Sequence, residues 1–191
     1  FAEAWRHRKI PVPEAHCSPV QWLERHGVLG PDTTAIHAIH VDGADVATLA
    51  RRGCGVAHCP RSNRRHRHGE APLAQLMGAI DRLGVGTDSV ASVAPLDLLA
   101  EARAARTLAR CSPERALELV TIGAARAIGL DRDLGTLEPG KWGDAVAIRI
   151  PDGTAIDRLH EAVLASTPAD VACTWVAGRV VYGLLSNGVD R

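Results

Sequence analysis

Three short apolar runs in the chain each end on side chains able to hold a metal, move a proton or grip a polar ligand. Val85-Gly86-Thr87-Asp88-Ser89 ends on a single carboxylate and Ala35-Ile36-His37 on an imidazole. Gly55-Val56-Ala57-His58-Cys59-Pro60-Arg61-Ser62-Asn63 ends on a polar cluster. An aspartate so placed can ligate a metal and also take a proton from the metal's water. Parallel α/β proteins gather their functional groups at the carboxyl ends of strands, where these runs stop. Taken singly, an Asp is better read as a helix cap or turn residue, and a lone His in an apolar run is usually a core side chain. The recurrence, with His37 first, the polar segment next and Asp88 last, favours chemistry at His37 and Asp88.

Alternating elements must position those ends. Ser18 to Leu29 reads as a helix with Val20, Leu23 and Val28 on its apolar side, broken by Gly30-Pro31-Asp32. Thr34 to Ile39 is β-prone. Asp42 to Arg52 is amphipathic and stops at Gly53. Gly55 to Ala57 is the next strand, Pro72 to Leu83 the next helix, and Val85-Gly86 opens the strand leading to Asp88. Arg61-Ser62-Asn63 has turn chemistry. This order is that of βα units on a parallel sheet. Helices follow over Asp97 to Arg110 and from Ser112-Pro113-Glu114, an N-cap, a first-position proline and an acid in the first turn. Gly123 to Ile128 is a short helical continuation. From Leu134 the character changes: a strand over Asp144 to Ile150, then a hairpin of Val171 to Val176 and Arg179 to Tyr182 around Ala177-Gly178.

Composition excludes several classes. With 191 residues, 46% of them hydrophobic, the chain can bury a real core. Lys+Arg and Asp+Glu are both 22, so the formal net charge is +0, which argues against a nucleic-acid partner. No apolar run approaches the roughly 20 residues that span a bilayer, so no membrane partner is expected. Charged residues close behind Phe1 leave no signal peptide in view. Cys17, Cys54, Cys59, Cys111 and Cys173 are scattered and form no C-x-x-C pair. They read as reduced, small buried residues of a cytoplasmic protein. The basic run Arg61, Arg64, Arg65, His66, Arg67, His68 lacks interleaved aromatics for base stacking. It reads as a solvated loop or as a clamp for an acidic substituent.

In these stretches, and in Gly69-Glu70-Ala71-Pro72, Gly135-Thr136-Leu137-Glu138-Pro139-Gly140-Lys141-Trp142-Gly143-Asp144 and Val176-Ala177-Gly178-Arg179-Val180-Val181-Tyr182, the chain resembles the carboxyl-terminal half of the amidohydrolase superfamily. The nearest subgroup is that of cytosine, guanine, adenosine-type and triazine deaminases and chlorohydrolases. The resemblance implies an α/β fold: the C-terminal part of a (β/α)8 TIM-type barrel over 1–130, from about the end of strand five, and C-terminal strands of a small β-sandwich over 131–191. It implies one divalent metal, zinc first and iron second. Asp88 falls on the metal-binding aspartate after the eighth strand. His37 falls on the histidine after the sixth, which bonds the activated water or the substrate. Phe1-Ala2-Glu3 matches the end of a His-x-x-Glu pattern, making Glu3 the acid/base that shuttles protons. Arg61, Ser62 and Asn63 fall where a barrel loop meets substrate. The pattern's histidine would precede Phe1, and the first-strand His-x-His pair is absent, so three of four implied ligands are missing. The sequence is then part of a larger enzyme, or it cannot hold the metal alone.

The chemistry implied is attack of metal-activated water on an amidine-like ring carbon, with ring-nitrogen protonation by Glu3, a hydrogen bond from His37 and proton transfer to Asp88. Deamination of an adenine-type nucleoside is expected. The Pro60-Arg61-Ser62-Asn63-Arg64-Arg65-His66 stretch is similar to bacterial deaminases acting on aminodeoxyfutalosine. The alternatives are hydrolytic dechlorination of a triazine-like ring and a catalytically silent half-barrel acting as an interaction module. A homo-oligomer is expected, and open barrel edges call for a covering segment.

Overall fold

Two three-stranded sheets of opposite strand logic organise the computed structural model, which describes residues 7–8 and 16–183. The first is parallel, in the order β1 (Thr34–Ile36), β2 (Gly55–His58), β3 (Leu83–Val85). Its register pairs Ile36 with Ala57 and His58 with Val85, so the three strands end nearly in step. Parallel strands need crossovers. Helix α1 (Pro19–Arg25) precedes β1 and α2 (Gly43–Arg51) joins β1 to β2. Helices α3 (Pro60–Arg65) and α4 (Leu73–Ala79) join β2 to β3.

Local chemistry sets these boundaries. Ser18 accepts from the Gln21 N–H to cap α1, and its hydroxyl donates to Asp45 Oδ1 at 2.5 Å, tying α1 to α2. Asp42 and Asp45 form a reciprocal capping box on α2. Strand β1 is shorter than its β-prone run because His37 (φ 68°) and Ala38 (φ 45°) turn into the left-handed region directly after Ile36. Helix α4 also stops short of the expected Leu83: Ile80 is already extended, and Leu83 opens β3 as a buried strand residue. The expected turn at Arg61-Ser62-Asn63 is instead helix α3.

After β3 come α5 (Leu98–Ala109), α6 (Pro113–Val120) and α7 (Ile122–Ala127). Asp97 caps α5 and Ser112 caps α6. Helix α7 lies directly on the amino ends of β2 and β3. A Cβ at Gly55 would sit 2.2 Å from Ala127 O, and one at Gly84 2.4 Å from Ala124 Cα. Arg82, just before β3, donates to the carbonyls of Pro31, Gly53, Arg126 and Ala127, and Thr34 Oγ1 donates to Ala127 O at 2.8 Å. The end of the sheet away from His37 and Asp88 is thereby closed.

The second sheet is antiparallel: β4 (Ala145–Ile148), β5 (Val171–Val176) and β6 (Arg179–Tyr182). The β5–β6 turn has Ala177 at φ 50° and Gly178 at φ 75°, the two positive values a tight hairpin needs. Helix α8 (Leu159–Ala165), between β4 and β5, packs on α5 and α6, and Leu164 joins the core cluster of Leu49, Val56, Leu76 and Leu119. Cys54, Cys59 and Cys173 are buried, Cys17 and Cys111 half-buried, and all five are unpaired thiols. No helix is long and apolar enough to cross a membrane among the described residues.

Gly84→Ala should therefore lose about 1–3 kcal/mol of unfolding free energy through overpacking against α7. Gly78→Ala, in α4 with open space around it, should gain up to about 1 kcal/mol. Urea titration of the two variants checks the contrast; equal effects would contradict the close α7–sheet approach.

Candidate active site

The ladder continues one residue past β1 and β3. The His37 N–H donates to Ala57 O at 2.8 Å, and the Gly86 N–H donates to His58 O at 2.9 Å. The backbone then breaks away at His37 and again at Asp88 (φ 62°). A left-handed Asp is tolerated better than most residues, because its short polar side chain bonds locally. Here Asp88 Oδ1 accepts from the Ser89 N–H at 2.8 Å.

These breaks bring His37 and Asp88 together, with His37 Nε2 3.9 Å from Asp88 Oδ2. Their side chains keep 33% and 26% exposure, so a small molecule can reach them. Ser62 joins from α3, its hydroxyl donating to Asp88 Oδ2 at 2.6 Å. That bond holds the Asp88 carboxyl below the usual carboxylate range. His37 Nδ1 is buried and has no partner among the described residues. Of the six side chains read from the sequence, three thus meet here: His37, Ser62 and Asp88.

Arg61 and Asn63 turn elsewhere. The Arg61 N–H donates to Glu101 Oε2 at 3.0 Å, and its guanidinium lies 3.7 Å from Glu101 Oε1 and 3.4 Å from Pro95 O. Asn63 is buried beside His58, with Nδ2 3.5 Å from His58 Nδ1. Glu3 lies outside the described residues.

Two neighbours of these side chains were not singled out from sequence. His58, 1% exposed, donates from Nδ1 to His37 O at 2.7 Å and so props the backbone of His37. Burial pushes its pKa down, which keeps the imidazole neutral, with an unprotonated Nε2. The signal was its place as the last residue of an apolar strand. Glu101, fully buried on α5, supplies the acceptor that Cys59 does not provide at the start of α3. Its signal was an acid on the same helical stripe as Leu98, Ala102 and Ala105. Burial raises the Cys59 thiol to about 11, so it stays protonated near neutral pH and is a poor nucleophile or ligand.

Burial also pushes the Glu101 carboxyl above the usual range, against the opposing pull of the Arg61 N–H and guanidinium. The folded state then holds this proton more tightly than the unfolded chain. Its contribution is complete below the unfolded carboxylate pKa and is lost as pH rises through the folded value. The stability of the native protein relative to Glu101→Gln should therefore fall as pH rises from about 4 to 7. Thermal melts of both across that range check this; a relative stability that rises with pH would contradict it.

The sequence and the fold match known proteins. Residues 2–181 match the amidohydrolase family. The 5-methylthioadenosine/S-adenosylhomocysteine deaminase of Desulforudis audaxviator is 36% identical over 179 residues, covering 88% of this chain and 42% of the relative. The protein of the same name from Teredinibacter turnerae is 36% identical over 172 residues, covering 84% of this chain and 39% of its own length. The chain thus spans about two fifths of the relatives it matches. Among solved structures, a zinc-bound adenosine deaminase from Xanthomonas campestris superposes with a TM-score of 0.80 at 28% identity, over 95% of this chain and 42% of that one. The zinc complex of atrazine chlorohydrolase from Arthrobacter aurescens gives 0.74 at 25% identity, over 88% and 40%. On these matches, the chain belongs to the amidohydrolase family.

Proposed function

We propose that these residues serve the hydrolytic deamination of an adenine-type nucleoside. The observation that carries the reading is the meeting of His37 Nε2 and Asp88 Oδ2 at 3.9 Å, at the carboxyl ends of parallel strands, with Ser62 bonded to the carboxylate. In this reading β1, β2 and β3 are strands six to eight of an eight-stranded barrel. The antiparallel sheet is the carboxyl-terminal portion of a small β-sandwich, with the division near residue 130.

Imidazole nitrogen and carboxylate oxygen are the donor types zinc takes, with iron next. A catalytic zinc keeps three protein ligands, and no group of three or more His, Cys, Asp or Glu converges among the described residues. The donor set present fits a metal in kind, and Asp88 is the residue of this chain that would hold it, beside ligands from elsewhere. When bound, such a metal supplies Lewis-acid activation that makes water nucleophilic near neutral pH. Asp88 takes up a proton at its carboxylate, for which the Ser62 bond keeps it ionised. His37 Nε2 donates or accepts a hydrogen bond at the reacting oxygen, its ring held by the His58 prop on its own backbone. Glu3 is assigned the proton transfer to the ring nitrogen by the family resemblance alone.

The names of the relatives support the adenine class. An aminodeoxyfutalosine-like substrate is the narrower reading, resting on the arginine-rich stretch after Asn63. A small-molecule substrate is proposed in either case. Triazine dechlorination is the second reading, favoured by the likeness to atrazine chlorohydrolase.

Ammonia release from 5′-methylthioadenosine, adenosine and aminodeoxyfutalosine, with chloride release from atrazine alongside, tests the proposal. Turnover of an adenine nucleoside, lost by about a thousandfold or more in Asp88→Asn, is the expected outcome. Ser62→Ala should lower kcat/KM by about tenfold or more, since the hydrogen bond it removes is made to a charged group. Chloride release without ammonia release would move the assignment to the dechlorinase. Neither activity in a metal-loaded protein would leave an interaction module.

A further inference from the structure

The face of α3 turned away from Asp88 borders a groove of about 790 Å³ shared with α5. Its walls carry Arg61, Arg64, Arg67, Arg103 and Arg110 against one carboxylate, Glu70. Five guanidiniums around one cavity are a strong local charge in a chain whose formal net charge is +0.

Two of the five are engaged. Arg61 pairs with Glu101, and Arg103 donates to Leu164 O and Ser166 O at 2.8 Å while pairing with Asp97. Arg64, Arg67 and Arg110 form no ion pair among the described residues. Arg67 (φ 55°) and Arg110 (φ 54°) also hold the left-handed backbone that ends a helix, a place glycine fills without strain. Two arginines accept that strain on the rim of one groove, and strain of this kind gathers at binding sites.

Deeper in, the groove is lined by His58 and Asn63, both 1% exposed. His58 Nε2 and Asn63 Oδ1 are buried and have no hydrogen-bond partner among the described residues. Because His58 Nδ1 donates to a carbonyl, both of these atoms are acceptors awaiting a donor. Ala100, Ala104 and Leu108 give the groove an apolar wall.

We propose that this groove binds an organic acid, its carboxylate or phosphate clasped by Arg64, Arg67 and Arg110, its body against Ala104 and Leu108. An N–H or O–H at its far end meets His58 and Asn63. Planar guanidinium forks match both kinds of oxyanion. The volume suits a small molecule. The site needs neither metal nor turnover, so binding tests it apart from the deaminase reading; it shares Arg64 with the stretch on which the aminodeoxyfutalosine-like reading rests.

The test is an NMR titration of the full chain with 3-aminobenzoate, 3-aminophenylphosphonate and uncharged 3-aminobenzamide. A fragment of about ten heavy atoms in a matched site binds in or below the millimolar range. Saturation by at least one acid, with the amide at least about tenfold weaker and raised salt weakening the acid, is expected. The stronger acid shows whether the natural group is a carboxylate or a phosphate. Arg64→Ala, and separately Arg67→Gly with Arg110→Gly, should each weaken the acid by about tenfold, while the glycine pair keeps or raises the melting temperature. Arg64→Ala decides alone if the double variant does not fold. Lack of saturation by either acid below about 20 mM, equal binding of the amide, or affinity unchanged in the arginine variants would overturn the assignment.

Discussion

The parallel register of the first sheet is the constraint on which everything at its functional end depends. Ile36 lies beside Ala57 and His58 beside Val85, and the ladder runs one residue further at His37 and Gly86 before the backbone turns away. A slip of one residue would reverse the facing of every side chain beyond it. His37 and Asp88 would then point to opposite faces. The register is in turn defended at the far end of the sheet. Gly55 and Gly84 let α7 touch the strands, and Arg82 gathers the carbonyls of Pro31 and Gly53, ahead of β1 and β2, together with that of Arg126 on α7. Closure at one end holds precision at the other.

A second layer of positioning comes from polar groups buried behind the site. Ser62 reaches Asp88 only because α3 is helical there, and α3 begins where a fully buried Glu101 accepts the Arg61 N–H. An unpaired buried carboxyl is costly; this one accepts the Arg61 N–H at Oε2 and has the Arg61 guanidinium 3.7 Å from Oε1, which makes no hydrogen bond among the described residues. His58 braces the backbone of His37 in the same indirect way. His37 and Asp88 themselves stay partly open, while their supports are closed off. That division suits a site that must admit substrate yet hold its groups still.

Much of this was legible in the sequence. The alternation of apolar runs with capped helices shows the βα order, and Asp42, Asp97 and Ser112 cap the helices their positions suggest. The Ala177-Gly178 hairpin is visible from its turn residues. His37 and Asp88 stand out because each ends an apolar run. What was not legible depends on partners distant in the chain. Pro60-Arg61-Ser62-Asn63 has turn chemistry locally and becomes helix because Glu101, forty residues on, supplies the acceptor at its start. The end of β1 at Ile36 reflects a left-handed backbone at His37 that no propensity suggests. Leu83 belongs to β3 rather than to the preceding helix because the sheet buries it. Arg61 and Asn63, assigned together with Ser62 from their shared segment, separate from it once helical geometry turns neighbouring side chains to different sides.

We propose that Asp88 is a metal ligand of a hydrolytic site. Metal content per chain, measured by inductively coupled plasma mass spectrometry on catalytically active protein and on Asp88→Asn prepared identically, tests it most directly. About one zinc or iron per active chain is expected, with a clear loss of that metal in the variant, because one ligand of a small set has been removed. Full metal content in Asp88→Asn, or undiminished activity in metal-free protein, would contradict it.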